Sequence, residues 1–203
     1  MHITLRFCLA IAGVALCLGA GAALPSGDIH IRDPFVIADG EEGVYRLYSS
    51  IYARKNEAAD AWRHTGQGVE MYLSRDLEQW TGPRHVLELP KELNCTAVWA
   101  PEVHEFNGRW YLFATLTFNG TKVPHHPGWR DHVKRGTWIF AADRPEGPYE
   151  IVKRDSVTPP NWSALDGTLV VEDGRPYMVF CHEWTQVRDG EMCLMPLRDD
   201  LSD

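Results

Sequence analysis

Three acidic residues in this chain of 203 residues precede the same local pattern: an apolar stretch, a Gly-containing turn and an aromatic strand. They are Asp33, Glu102 and Asp166, spaced 69 and 64 residues apart. Carboxylates gathered in one pocket repel one another, so one is expected to keep its proton while another stays ionised. A pair split in that way can protonate a leaving oxygen and activate a water, which is the chemistry of glycoside hydrolysis. Taken singly, each residue could be no more than a turn-former at the start of a hairpin. Recurrence at comparable places moves the reading toward a shared site.

The residues around these acids suit a sugar. Trp99, Trp162 and Trp184 stand beside them or close by. An indole offers a flat apolar face to sugar C–H groups and keeps an N–H donor, although such rings also pack cores. Trp99, Glu102, His182 and Trp184 are therefore the candidate substrate contacts. Glu183, inside His182-Glu183-Trp184, is the one acid at the end of an aromatic strand. It is the candidate proton donor within the chain, or else a solvated rim residue. His125, His126, Asp131 and His132 have metal-ligand types but no regular spacing, and Pro124, Pro127 and Gly128 mark a solvated loop. No protein metal site and no required cofactor are expected. Phosphate loops, Gly-x-Ser-x-Gly elbows and Cys-x-x-Cys pairs are absent from the sequence.

The elements that must position these residues repeat. Tyr45, Tyr111 and Tyr177 are spaced 66 and 66 residues apart. Glu42-Gly43, Asn107-Gly108 and Asp173-Gly174 lie between alternating apolar runs and predict a hairpin in each unit. Further strands are predicted over 69–74, 137–142 and 191–197. Trp80 and Tyr149 lead into a short fourth strand in the first two units, and no sustained helical period occurs. Four antiparallel strands at a fixed period predict an all-β fold of β-propeller blades, rather than unrelated hairpins in a sandwich. The blades are expected near 29–90, 91–160 and 161–203. From residue 29 onward the length holds about 2.7 such units, against the roughly four to eight that close a propeller. The arithmetic predicts a partial propeller at 23–203, the N-terminal part of a longer protein.

Composition excludes other classes. The formal charge is −8, and 44% of residues are hydrophobic with 24% charged. An acidic chain is a poor nucleic-acid binder, and the mixed composition is not that of a disordered chain. Residues 1–22 combine Arg6, an apolar run and Ala20-Gly21-Ala22, which reads as a signal peptide cut before Ala23. Export to the periplasm or the medium is expected, with no membrane association afterwards, because the run is too short to span a bilayer. Cleavage would remove Cys8 and Cys17 and leave Cys95, Cys181 and Cys193. At most one disulfide fits three cysteines; Cys181 with Cys193 is the closer pair, and reduced buried thiols are the alternative. Three Asn-x-Ser/Thr sites, at Asn94, Asn119 and Asn161, bear on glycosylation in a eukaryotic host only.

Three blocks together resemble glycoside hydrolase family 43. They are Arg32-Asp33-Pro34-Phe35, Trp99-Ala100-Pro101-Glu102-Val103, and Leu165-Asp166-Gly167-Thr168-Leu169 with Asp173-Gly174-Arg175-Pro176-Tyr177. The resemblance runs from about residue 29 to residue 203 and implies a five-bladed propeller, of which some three blades are present. It implies Asp33 as the general base, Asp166 as the carboxylate that orients the general acid and tunes its pKa, and inversion at the anomeric carbon. The family's acid is a Glu some sixty residues past the Asp166 match, which leaves Glu183 as the candidate inside this chain. Arabinan, xylan side chains and related furanosides or xylosides are the implied substrates. A structural calcium ion, held largely by water and a His, is possible by the same resemblance, and its match falls outside this chain. A retaining fructan-type propeller hydrolase is the weaker enzyme reading, since Arg32 stands where that group has Asn. An inactive or merely carbohydrate-binding propeller is the non-enzymatic one.

Overall fold

The computed structural model describes residues 23–51, 68–124 and 132–203. The expected signal segment and the histidine-rich loop at 125–131 lie outside them. Among the described residues twelve strands form three antiparallel sheets. The first contains β1 (Leu24–Pro25), β2 (Phe35–Asp39), β3 (Val44–Ser50), β4 (Gly68–Ser74) and β5 (Gln79–Glu88), in the order β1-β5-β4-β3-β2. The second runs β6 (Ala97–Phe106), β7 (Arg109–Val123), β8 (His132–Ala142) and β9 (Glu150–Ile151). The third holds β10 (Ala164–Glu172), β11 (Arg175–His182) and β12 (Glu191–Pro196). One helical turn, α1 (Trp184–Val187), joins β11 to β12.

Turn chemistry explains the hairpins. Asn107 and Gly108 have φ of 51° and 74°, and Asp173 and Gly174 have 50° and 75°. Both central residues of a two-residue hairpin turn need positive φ, which Asn-Gly and Asp-Gly tolerate. The first unit closes differently. Asp39 pairs with Val44, and the Asp39 carboxylate accepts the N–H groups of Glu41 and Glu42 at 3.1 and 3.0 Å.

Alternation along the middle sheet buries both of its faces. Leu112, Ala114 and Leu116 of β7 join Tyr48, Val69, Met71 and Val86 in a core shared with the first sheet. Tyr111 and Phe113, at the odd positions, join Met178, Phe180 and Leu197 in a core shared with the third. Three sheets thus pack in succession, with the inner strand β6 in contact with the inner strands β2 and β10 on either side. The outer face of the first sheet is covered by its own N-terminal segment. Leu24, Ile29 and Ile31 pack on Leu47, Tyr72 and Trp80, and β1 pairs with β5 through Leu24 and Trp80.

No disulfide forms between Cys181 and Cys193, and Cys95 is in none either. Cys181 lies opposite Met192, and Cys193 opposite Phe180. Neighbouring residues of a strand point to opposite faces, so the two sulfurs sit on different sides of the sheet. Cys95 is buried, which pushes its thiol up to about 11.

Candidate active site

Asp33 and Asp166 share an uncommon backbone conformation, with φ of 51° and 54°. Both stand just before or within the first residues of an inner strand, β2 and β10. A non-glycine residue in the left-handed region stores strain that surrounding structure must hold, and such residues cluster at functional sites. The matching residue of the middle sheet is Ala100, with φ of 42°. Ladder pairing breaks there, between Trp99 and Glu102, as it does between Leu165 and Thr168 around Asp166. The expected equivalence of Glu102 with the two aspartates is therefore corrected: the position equivalent to it in the third sheet is Thr168. Glu102 lies opposite Phe113 and Thr168 opposite Val179, two residues past Tyr111 and Tyr177.

Two buried threonines of the middle sheet hold the Asp166 bulge. The N–H of Asp166 donates to Thr115 Oγ1 at 2.9 Å, and the N–H of Gly167 donates to Thr137 Oγ1 at 3.1 Å. Thr115 and Thr137 lie opposite each other on β7 and β8 and are fully buried. Glu102 is drawn into the same junction. Its carboxylate accepts the Thr168 hydroxyl and lies 3.2 Å from His104 Nε2. The His104 ring packs against Phe35 of the first sheet and edge-on to Phe113.

The carboxylates are electrostatically distinct. Asp166 is pushed above the usual carboxylate range, first by loss of hydration, then by the charges of Asp33, Glu102 and Glu183. Glu102 also loses hydration, but its bonds with His104 and Thr168 outweigh that and hold it below its ordinary value. One acid raised beside one lowered is the split expected of a working carboxylate cluster.

Glu183 is tied down rather than presented. It is buried, and Arg135 Nη1 donates to both of its oxygens at 3.0 and 2.8 Å. Ser163 Oγ adds a third bond at 2.6 Å. Both carboxylate oxygens are thus engaged within the protein. The Arg135 guanidinium carbon lies 4.8 Å from the centroid of the ring of Trp99, a residue of another strand. His182, a candidate sugar contact, is instead buried. Its ring stacks on Trp162 at 3.8 Å and its Nε2 lies 2.9 Å from Gln186 Oε1. Trp184 opens α1 with more than half of its surface exposed.

Arg135, Ser163, Thr115, Thr137, His104 and Gln186 did not stand out in the sequence. A signal existed for the threonines, which interrupt apolar strands as polar residues facing another sheet. Among the described residues no three His, Cys, Asp or Glu side chains gather to hold a metal ion.

Residues 25–203 match the family described as glycosyl hydrolases family 43, and the chain belongs to that family. It is 26% identical over 138 residues to a protein named probable arabinan endo-1,5-alpha-L-arabinosidase C from Aspergillus fumigatus, covering 61% of this chain and 40% of that protein. Its fold superposes on an endo-arabinase from Bacteroides thetaiotaomicron with a TM-score of 0.69 and 29% identity, over 88% of this chain and 54% of the other. An exo-beta-1,3-galactanase from Clostridium thermocellum superposes with a TM-score of 0.59 at 19% identity, over 87% and 36% of the two chains, a likeness of fold alone. The all-β architecture is that of the family's five-bladed propellers, of which the chain covers part. It spans about half the length of these relatives or less.

Proposed function

We propose that the chain carries the water-activating half of an inverting glycoside hydrolase that cleaves arabinofuranoside linkages of the arabinan type. One observation carries this reading. Asp33 and Asp166 open the inner strands of the first and third sheets in the same strained conformation, close enough that Asp33 raises the proton affinity of Asp166. Asp33, solvent-accessible beside Arg32, is positioned to take a proton from water; Asp166 orients the reacting groups. Inversion needs carboxyl groups separated by roughly 6.5–9.5 Å, with room for a water between them. Arabinan is preferred over xylosides because both relatives above 25% identity described here carry arabinan-cleaving names. Residues 1–22 support export, and no helix among the described residues is long and apolar enough to cross a membrane.

Glu183 is not assigned proton donation. Its engagement by Arg135 favours a second reading, in which these sheets bind sugar without turning it over. Incubation with linear α-1,5-arabinan and an aryl arabinofuranoside separates the two. Turnover with first-formed product of inverted configuration, lost by roughly 10²–10⁴-fold in Asp33→Asn, is expected for a general base. Undiminished turnover in that variant, or retained configuration, overturns the assignment. Oligosaccharide binding with no turnover selects the second reading.

A further inference from the structure

The junction between the second and third sheets contains a buried ionic device that neither the acid nor the base role uses. Arg135 on β8 reaches across β7, since Trp99 pairs with Thr115, Thr115 with Thr137, and Arg135 with Thr117. These residues share the face of the middle sheet that looks toward the third. The guanidinium carbon lies 4.8 Å from the centroid of the Trp99 ring while Nη1 donates to both oxygens of Glu183. Ser163 fixes that carboxylate through its hydroxyl, and its carbonyl oxygen accepts the N–H of Glu183 at 2.9 Å. A backbone bridge between Arg135 and Ser163 joins the two sheets at the same level. Gln186 completes the joint: Nε2 donates to the carbonyls of Pro124 and Asn161 at 2.6 and 2.7 Å, and Oε1 accepts the N–H of Ser163 at 2.6 Å.

We propose that Arg135 is the positioning residue for the Trp99 ring beside Asp166, with Glu183 as its anchor, and that a sugar unit is bound against the ring so held. Two properties of the group support this. A guanidinium spreads its charge over a planar, weakly hydrated group that can lie over an indole while one of its nitrogens bonds a carboxylate, whereas an ammonium is a compact, strongly hydrated point charge. The stacked ring is also the cross-strand neighbour of Thr115, which holds the Asp166 N–H. Moving the arginine therefore moves the Trp99 ring relative to Thr115 and the Asp166 bulge it holds. The sugar part of the inference rests on the glycosidase reading; the positioning part does not.

The test uses Arg135→Lys, Arg135→Met and Glu183→Gln in the purified protein, with two readouts. The ¹⁵N–¹H resonance of the Trp99 indole, identified by its loss in Trp99→Phe, reports the ring. Calorimetric titration with linear arabino-oligosaccharides, and KM against kcat where turnover is measured, report the sugar. All three variants are expected to shift the indole resonance and to weaken oligosaccharide binding by roughly 10- to 100-fold. KM is expected to rise with kcat nearly unchanged. Arg135→Lys keeps the buried charge balanced, so it serves where Arg135→Met does not fold, and it should fail to restore the ring. An unshifted indole resonance, or affinity within twofold of the parent in folded Arg135→Lys and Glu183→Gln, overturns the proposal. A shifted indole in a parent that binds no oligosaccharide keeps the positioning role and removes the sugar reading.

Discussion

Asp166 and Glu102 lie within one junction yet are pushed in opposite directions, and the consequence is measurable as stability against pH. Asp166 is raised, so its proton favours the folded state. That stabilisation is complete below the ordinary Asp value and is lost as pH rises through the raised one. Asn carries no charge at either pH. Asp166→Asn is therefore expected to melt above the parent at pH 7, with the difference shrinking as pH falls toward 3, by differential scanning calorimetry. Glu102 has the opposite sign: lowered by its His104 and Thr168 bonds, it stabilises above the ordinary Glu range and loses that contribution as pH falls through its lowered value. A site whose charged residue costs stability where it works is a familiar compromise between folding and activity.

At the scale of the element, the bulge at Asp166-Gly167 is what turns a regular strand into a site. A Cβ on Gly167 would fall 2.6 Å from Thr137 Oγ1, 2.7 Å from Thr137 Cγ2 and 2.8 Å from Met178 Sδ. Gly167→Ala is thus expected to cost roughly 1–3 kcal/mol, as overpacking does, in urea denaturation. Thr137→Ser, which removes Cγ2, should recover part of the loss. The same bulges mark the limit of what was legible in the sequence. Hairpin turns were readable because Asn-Gly and Asp-Gly have few other uses. The register of Glu102 was not, because an inserted residue shifts the pattern without changing its composition. The spacings held the clue: 69 and 64 for the acids against a steady 66 for the tyrosines, whereas Ala100 stands 67 and 66 from Asp33 and Asp166. The pairing of Arg135 with Glu183 was hidden for another reason, since the two come from different sheets and sequence distance says nothing of which faces meet.

For the molecule as a whole, the joint between the first and second sheets depends on one buried cation. Arg46 is 1% exposed and meets Asp39 at 2.9 Å, Glu42 at 2.5 Å and Glu146 at 2.7 Å. Burial opposes its charge, and Glu146 and the other two carboxylates restore and raise its proton affinity. Beside it, the Tyr48 and Tyr149 hydroxyls both donate to the Pro145 carbonyl, at 2.8 and 3.1 Å. Arg46→Met would strand three carboxylates and is expected to cost about 3–5 kcal/mol in urea denaturation. Adding Glu146→Gln should return part of it, a non-additivity that a surface arginine would not show. The first sheet has a further dependence, in time rather than energy. Its outermost strand, β1, pairs with β5, so Leu24 waits for Trp80, 56 residues later in the chain. At ribosomal speeds of about 5–20 residues per second that is roughly 3 to 11 s. Through that interval Leu24 has no strand to pair with, whereas Leu47 and Tyr72, the other residues its segment packs on, are made earlier.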